Sequence, residues 1–309
     1  IRPGYREFDS HWDAMFILPI LVALIIGDAG YGMLYLVATW SARRKFPDAN
    51  PEPFRLGYVL SVSCILWGAL TGNWFGSAYI SGLPILRHIA IPSIATCFDL
   101  SDQESVKAGI FTSIKISFLV GLIHLGASRI RIALHCLDTG RTRQSIAHVG
   151  WGIVVVGIFL LTQAMFFQSP TLPAVIACVV LGGALICWFG SDERNIVKRL
   201  CVSALGFFMD LAGVFGDMLS YMRLFAVGFT ALILAMLANM LLEQGTGAGL
   251  IILGVFVAVF GHVLNLALGI LAILVHGFRL HLLEGSKHAE NENAGVAYKP
   301  LNGNGVETK

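Results

Sequence analysis

The sequence predicts an all-α polytopic membrane protein of eight transmembrane helices, including an initial broken hairpin and two long tilted C-terminal helices. Three observations predict it. The chain of 309 residues is 56% hydrophobic and 13% charged, about half the charged share of soluble domains. Seven apolar segments, at 12–42, 57–80, 108–135, 147–168, 172–190, 203–242 and 249–283, alternate with polar connections, and several reach the ~18 apolar residues expected of a span. Gly27-Asp28-Ala29-Gly30-Tyr31-Gly32 places three glycines and an aspartate inside the first segment, the composition of a tight helical turn whose backbone lines a polar cavity.

The first segment counts as two arms because of charge. As a single span it would place Arg43, Arg44, Lys45 and Arg55, then Arg141 and Arg143, then Arg194, Lys198 and Arg199 opposite Arg2 and Arg6, against the positive-inside rule. Broken at 27–32, it brings every basic loop to the side of both termini, which are therefore expected in the cytoplasm. Each arm is then about 15–18 residues, short of the ~20 that cross a full bilayer core, so the turn is expected in a thinned or wet region. Connection 81–107, with Pro84 and Pro92, reads as an external loop with short interfacial helices. The last two segments flank a glycine-rich break at Glu243–Gly249. At ~1.5 Å per residue they run to roughly 60 and 50 Å, so they tilt steeply or start along the interface. The division is thus a transmembrane domain at 1–285 and a cytoplasmic polar tail at 286–309, rich in Asn, Gly, Glu and Lys. The start at Ile1, without a methionine or signal-peptide pattern, suggests an N-terminal region that has been removed or is not shown.

Several functions are excluded or disfavoured. The net charge of +2 comes without a basic block interleaved with aromatics, so no nucleic-acid partner is expected. The six cysteines form no C-x-x-C pair and fall mostly in apolar segments, where they read as small buried hydrophobes. No G-x-x-x-x-G-K-[ST] loop is present, so any ATP chemistry belongs to another polypeptide, and neither cofactor nor metal is expected here.

Two arginines inside apolar runs carry the functional reading. Arg223 lies in Ser220-Tyr221-Met222-Arg223-Leu224 and Arg279 in His276-Gly277-Phe278-Arg279-Leu280. An arginine at the centre of a spanning helix costs about 2.5–3.5 kcal/mol and stays charged, so a partner or pathway is expected for it; the alternative is snorkelling near a helix end. At 100° per residue Arg279, His276, Asn265 and His262 share one stripe of the last helix, which needs a wet or partnered face. Ordinary interhelical hydrogen bonding is the competing account of His262 and Asn265. Arg223 shares its side with Ser220 and Thr230. Asp217, further round, is either a channel acid or a helix-start residue. Asp28 would relay a proton or attract a cation, cap the second arm, or do both. His124, alone on an apolar helix, reads as a packing histidine.

These motifs resemble the membrane domain of the a subunit, subunit I in bacteria and archaea, of V/A-type rotary ATPases. The matching stretches are Gly27–Gly32, Asn73-Trp74-Phe75-Gly76, Gly216–Leu224, Gly261-His262-Val263-Leu264-Asn265 and His276–Leu280, in family order. The resemblance implies a non-catalytic stator subunit in an integral, multi-pass position in a bacterial or archaeal plasma membrane. Its implied partners are a proteolipid ring of c/K subunits with a buried carboxylate, a central-stalk subunit of d/C type, the lipid bilayer, and peripheral-stalk subunits through a cytoplasmic stalk domain absent from this chain. It implies two ion half-channels for H⁺ or Na⁺ separated by Arg223 and Arg279. Asp28, Asp217 and Ser220 would line the external one, and His276 and Glu284 would stand near the cytoplasmic side. The chain departs from the eukaryotic pattern at two positions, with Gly269 in place of a glutamate and Ala231 in place of a histidine. Two other classes remain: a secondary ion transporter with a broken-helix site, and a membrane metalloenzyme using His276, His281, Glu284 and His288.

Overall fold

The computed structural model describes residues 11–92, 94, 103–191, 195–243, 248–277 and 279. Among them every regular element is helical. The break in the first apolar segment is real but shorter than the glycine cluster. Helix α1 (His11–Ile26) ends and α2 (Ala29–Lys45) begins across Gly27 and Asp28 alone. Gly27 has φ 62°, open to glycine at no steric cost, and Asp28 is extended as the N-cap of α2. Gly30 and Gly32, expected in the turn, lie in the first turns of α2. Their role is close approach: a Cβ on Gly32 would stand 2.8 Å from the backbone nitrogen of Ile65, and one on Gly30 would enter the Phe75 ring.

The two arms, 16 and 17 residues long, do not pack along one another; both pack on α3 (Pro51–Thr71). Helix α3 starts on an Asn50 cap with prolines in its first turn and stops at Gly72, φ 76°, the usual left-handed stop. Short helices α4 (Ala78–Ser81) and α5 (Pro84–Ile89) follow, as expected for the loop. That loop is shorter than 81–107, because α6 (Gln103–Asp138) already starts at 103. Helices α6, α7 (Thr142–Phe167) and α8 (Leu172–Phe189) form successive antiparallel hairpins. Gly150 and Gly182 bring α7 and α8 together, since a Cβ on Gly182 would stand 2.7 Å from the Gly150 carbonyl oxygen. Small residues at such a crossing are how helices associate where water offers no driving force.

The long segment after Asn195 consists of α9 (Ile196–Ser220) and α10 (Met222–Glu243), interrupted at Tyr221. The last is α11 (Ala248–Ala272) followed by a π-helical turn, Ile273–Gly277. Both C-terminal segments are long helices, as expected, but neither is uniform. Among the described residues six helical stretches are long and apolar enough to cross a membrane, the α9–α10 unit counting as one of 45 residues. The count of eight therefore depends on α1 and α2, which fall short of a full bilayer core.

A core of Leu21, Val22, Ile25, Phe118, Leu125, Met218, Tyr221 and Leu224 joins α1, α6, α9 and α10. The outside is also apolar: Leu205, Phe208 and Met209 on α9 and Ile252, Phe256 and Phe260 on α11 are largely exposed. An apolar exterior of this extent fits lipid rather than water. The protein is an integral membrane protein. Basic side chains lie on aromatic rings at one end of the bundle, Arg44 4.0 Å from the Trp40 centroid and Arg199 5.2 Å from that of Trp188, as in an interfacial belt. The tail at 286–309 lies outside the described residues.

Candidate functional site

Asp28 is 4% exposed and faces backbone donors. Its Oδ1 accepts from Tyr31 N at 3.1 Å and its Oδ2 from Gly76 N at 3.2 Å. The loop that brings Gly76 there is itself tied to the turn. Ala29 N donates to Asn73 O at 2.9 Å, and Asn73 Nδ2 donates to Gly27 O at 3.0 Å. The carboxylate thus caps α2 and pins the segment after α3, two tasks that suit a charged acceptor among N–H groups.

A second set of bonds leads away from the turn. Asn265 Nδ2 donates to Tyr31 Oη at 3.0 Å and to Ala231 O at 2.8 Å. Tyr31 Oη lies 2.6 Å from His262 Nδ1, and His262 Nε2 lies 3.1 Å from Asn239 Oδ1. Asn239 Nδ2 donates to Phe75 O at 2.8 Å. Tyr31 accepts from Asn265 and keeps a hydrogen that it can give to His262 Nδ1, an arrangement that suits a ring carrying its proton on Nε2 toward Asn239 Oδ1. Phe75 stacks edge-on to Tyr31, centroids 5.4 Å apart, and closes the group from the side.

Below this chain lies a cavity of about 390 Å³ between α1, α2, α10 and α11. Its walls are mostly aliphatic, with polar positions at Tyr31, Tyr35, Thr230, Asn265 and His276. The π turn carries His276 into this wall, and its Nδ1 is buried with no hydrogen-bond partner. Arg223 and Arg279 both act electrostatically on that ring. Both arginines therefore stand near enough to His276 to act on its charge. Arg223 is half-buried and Arg279 exposed. Gly269 and Ala231, the two departures from the eukaryotic pattern, line the same cavity. A side chain at 269 would run into the Tyr35 hydroxyl, which donates to Leu266 O at 2.8 Å.

Arg223 is set by the break before it. Tyr221 is fully buried, and its hydroxyl lies 2.7 Å from His124 Nδ1. Its ring fills the notch left by Gly121, where a Cβ would meet it at 2.9 Å. His124 is therefore a packing histidine, as expected, with a specific partner. Tyr221 keeps right-handed helical angles, φ −69° and ψ −21°, so the chain continues in the same direction from Ser220 to Arg223. Ser220 Oγ donates back to Gly216 O at 3.1 Å, and Asp217 sits half-buried on α9.

His262, Asn265 and His276 of the expected stripe are thus brought to one chain and cavity, and Asp28 borders them. Glu284, with His281 and His288, lies outside the described residues. Sequence reasoning missed Tyr31, Tyr35, Asn239 and Arg129. Arg129 is 8% exposed and stacks 5.3 Å from the Trp151 centroid, and its position within an apolar run was the signal for it. Among the described residues no group of three His, Cys, Asp or Glu side chains is placed to hold a metal.

No family model matches the chain. Among curated proteins it is 34% identical over 313 residues to V-type ATP synthase subunit I of Borreliella burgdorferi, covering 97% of the chain and 50% of the relative. It is 26% identical to V-type ATP synthase subunit I 1 of Treponema pallidum, covering 97% and 48%. It is 24% identical to A-type ATP synthase subunit I of Archaeoglobus fulgidus, covering 91% and 47%. The chain belongs to the V/A-type ATP synthase subunit I family. As a subunit I chain it spans about half the length of the curated relatives it matches. The glycine–aspartate turn, the broken helix before Arg223 and the histidine–asparagine pair of α11 are therefore features of a subunit I membrane region.

Proposed function

We propose that this chain is the stator membrane region of a rotary V/A-type ATPase, coupling H⁺ or Na⁺ movement to ATP hydrolysis or synthesis on other subunits. A proteolipid ring would pass the outer face of α10 and α11. Its buried carboxylates would be ionised beside Arg223 and Arg279, because a fixed positive charge favours the carboxylate form and expels the bound ion. The same charges oppose direct passage of a cation between the half-channels. The observation that carries the reading is a cavity inside an apolar bundle with His276 in its wall and two intramembrane arginines near enough to act on that ring. The cavity serves as one half-channel. Asp28, Asp217 and Ser220 belong to the other, with Asp28 holding its lining loop, and Glu284 lies on the cytoplasmic side of His276.

The partners in this reading are the ring, a central-stalk subunit, the lipid bilayer, and peripheral-stalk subunits that meet the cytoplasmic part of the protein. The membrane is a bacterial or archaeal plasma membrane, and both ends of the region face the cytoplasm.

The test is Arg223→Ala in the complete complex, reconstituted in vesicles. Assembly and the ring remain, while ATP-driven ion uptake falls to background, because a charge rather than a core contact is removed. Arg223→Lys restores little, since an ammonium lacks the planar fork and loses its proton more readily when desolvated. Uptake at the wild-type rate by the assembled Arg223→Ala complex would overturn the stator reading.

A further inference from the structure

We propose that Asn239 is a proton insulator, which keeps the Tyr31–His262 pair from conducting protons between the cavity and the water at the far end of α10. The hydrogen-bond chain described above is continuous: Asn265 to Tyr31 to His262 to Asn239 to the carbonyl of Phe75. The next N–H, that of Gly76, bonds Asp28. Continuity of hydrogen bonds is not continuity of proton transfer. A hydroxyl and an imidazole both pass a proton on by taking one at one atom and releasing another. An amide donates from nitrogen and accepts at oxygen, and its oxygen is far too weak a base to take a proton from an imidazolium.

Following one proton shows where transfer stops. A hydronium ion in the cavity gives a proton to Tyr31 Oη and becomes water while the hydroxyl hydrogen moves to His262 Nδ1, leaving tyrosine neutral and the ring an imidazolium. The only forward exit is the Nε2 proton, and the atom facing it at 3.1 Å is Asn239 Oδ1. Transfer stops there, and the proton returns the way it came. The position matters because Tyr31 lines the cavity, while Asn239 is half-buried and four residues from Glu243, the last of α10. A group at 239 that could hold a proton would exchange it with water on that side. Asparagine has nearly the shape of aspartate, so the insulating property is chemical rather than steric.

The inference rests on the proposed reading only in that the region separates two aqueous sides. The experiment needs no turnover. Vesicles carrying the complete complex, without ATP, are given a potassium diffusion potential, and proton entry is followed with an internal pH dye. Asn239→Asp and Asn239→His both supply a group that takes and releases protons, and each is expected to raise passive proton entry on the order of tenfold or more. Asn239→Leu removes the hydrogen bonds without supplying such a group and is expected to stay as tight as the wild type. Co-purification of the ring and ATP hydrolysis identify which variants assemble, and either proton-accepting variant suffices. Wild-type tightness in an assembled Asn239→Asp or Asn239→His complex would overturn the proposal. So would an Asn239→Leu complex as leaky as these, which would make packing the barrier. Failure of the stator reading registers separately, in ATP-driven uptake by Arg223→Ala.

Discussion

Both oxygens of Asp28 face backbone N–H groups, from Tyr31 and from Gly76. An asparagine can meet one of these donors with its oxygen, but then turns its own N–H₂ toward the other. A buried donor left unsatisfied costs about 1–3 kcal/mol. Asp28→Asn is therefore expected to lower the melting temperature and the yield of assembled complex, not merely to silence it. An assembled Asp28→Asn complex of wild-type stability and no ion transport would instead assign the carboxylate to the ion path. Asp28, His262, Asn265 and His276 were legible as candidates because a polar group in an apolar run has few explanations. Tyr31 and Asn239 were not, since a tyrosine on a glycine-rich turn and an asparagine near a helix end have ordinary local readings. Their meaning comes from partners far away in the chain, 231 residues in the case of Tyr31 and His262.

Among the elements, the helices themselves were legible from apolar run length, and their irregularities were not. Nothing in Met218–Leu224 breaks a helix locally; the break at Tyr221 goes with a hydroxyl bound to His124, 97 residues earlier, and a ring seated on Gly121. The π turn at Ile273–Gly277 is equally unmarked, and it alters the stripe computed for an unbroken α-helix. The glycines of the first turn show the converse error. Their cluster marks the right place, yet Gly27 alone among them adopts a left-handed φ, and Gly30 and Gly32 serve close packing. Gly68 is the most exacting case, because its Cβ would collide with the backbone of Asp28 and Ala29. Backbone cannot rotate aside, so Gly68→Ala is expected to push α3 off the turn and destabilise by about 1–3 kcal/mol or more. Gly126, with open space around it in the interior of α6, is the control, and Gly126→Ala should not lower the melting temperature. Equal melting of the two variants would remove the close α3 contact from the account of the fold.

For the whole molecule, charge and packing give one orientation. The turn at Asp28, the loop after α3 and the end of α10 meet through Gly76 and Asn239, so these three lie at the same end. The opposite end holds Arg43, Arg44 and Lys45 in the last turn of α2, Arg141 and Arg143 at the start of α7, and Lys198 and Arg199 at the start of α9. The positive-inside rule puts that second end in the cytoplasm, and the arrangement closes only if α1 and α2 each cross most of the bilayer. At ~1.5 Å per residue their 16 and 17 residues reach roughly 25 Å, so the membrane is thinned at the turn or water enters to meet it. Cysteines introduced at Asn50, Thr142 and Ser169, read against the six native ones, test this arrangement. Positions 50 and 142 are expected to react with a membrane-impermeant maleimide only from the cytoplasmic face, and position 169 only from outside. Reaction of 50 and 142 on opposite faces would overturn the arrangement, and reaction of a cysteine placed at Arg6 on the face opposite 50 and 142 would make the broken first segment a single crossing and reduce the count to seven.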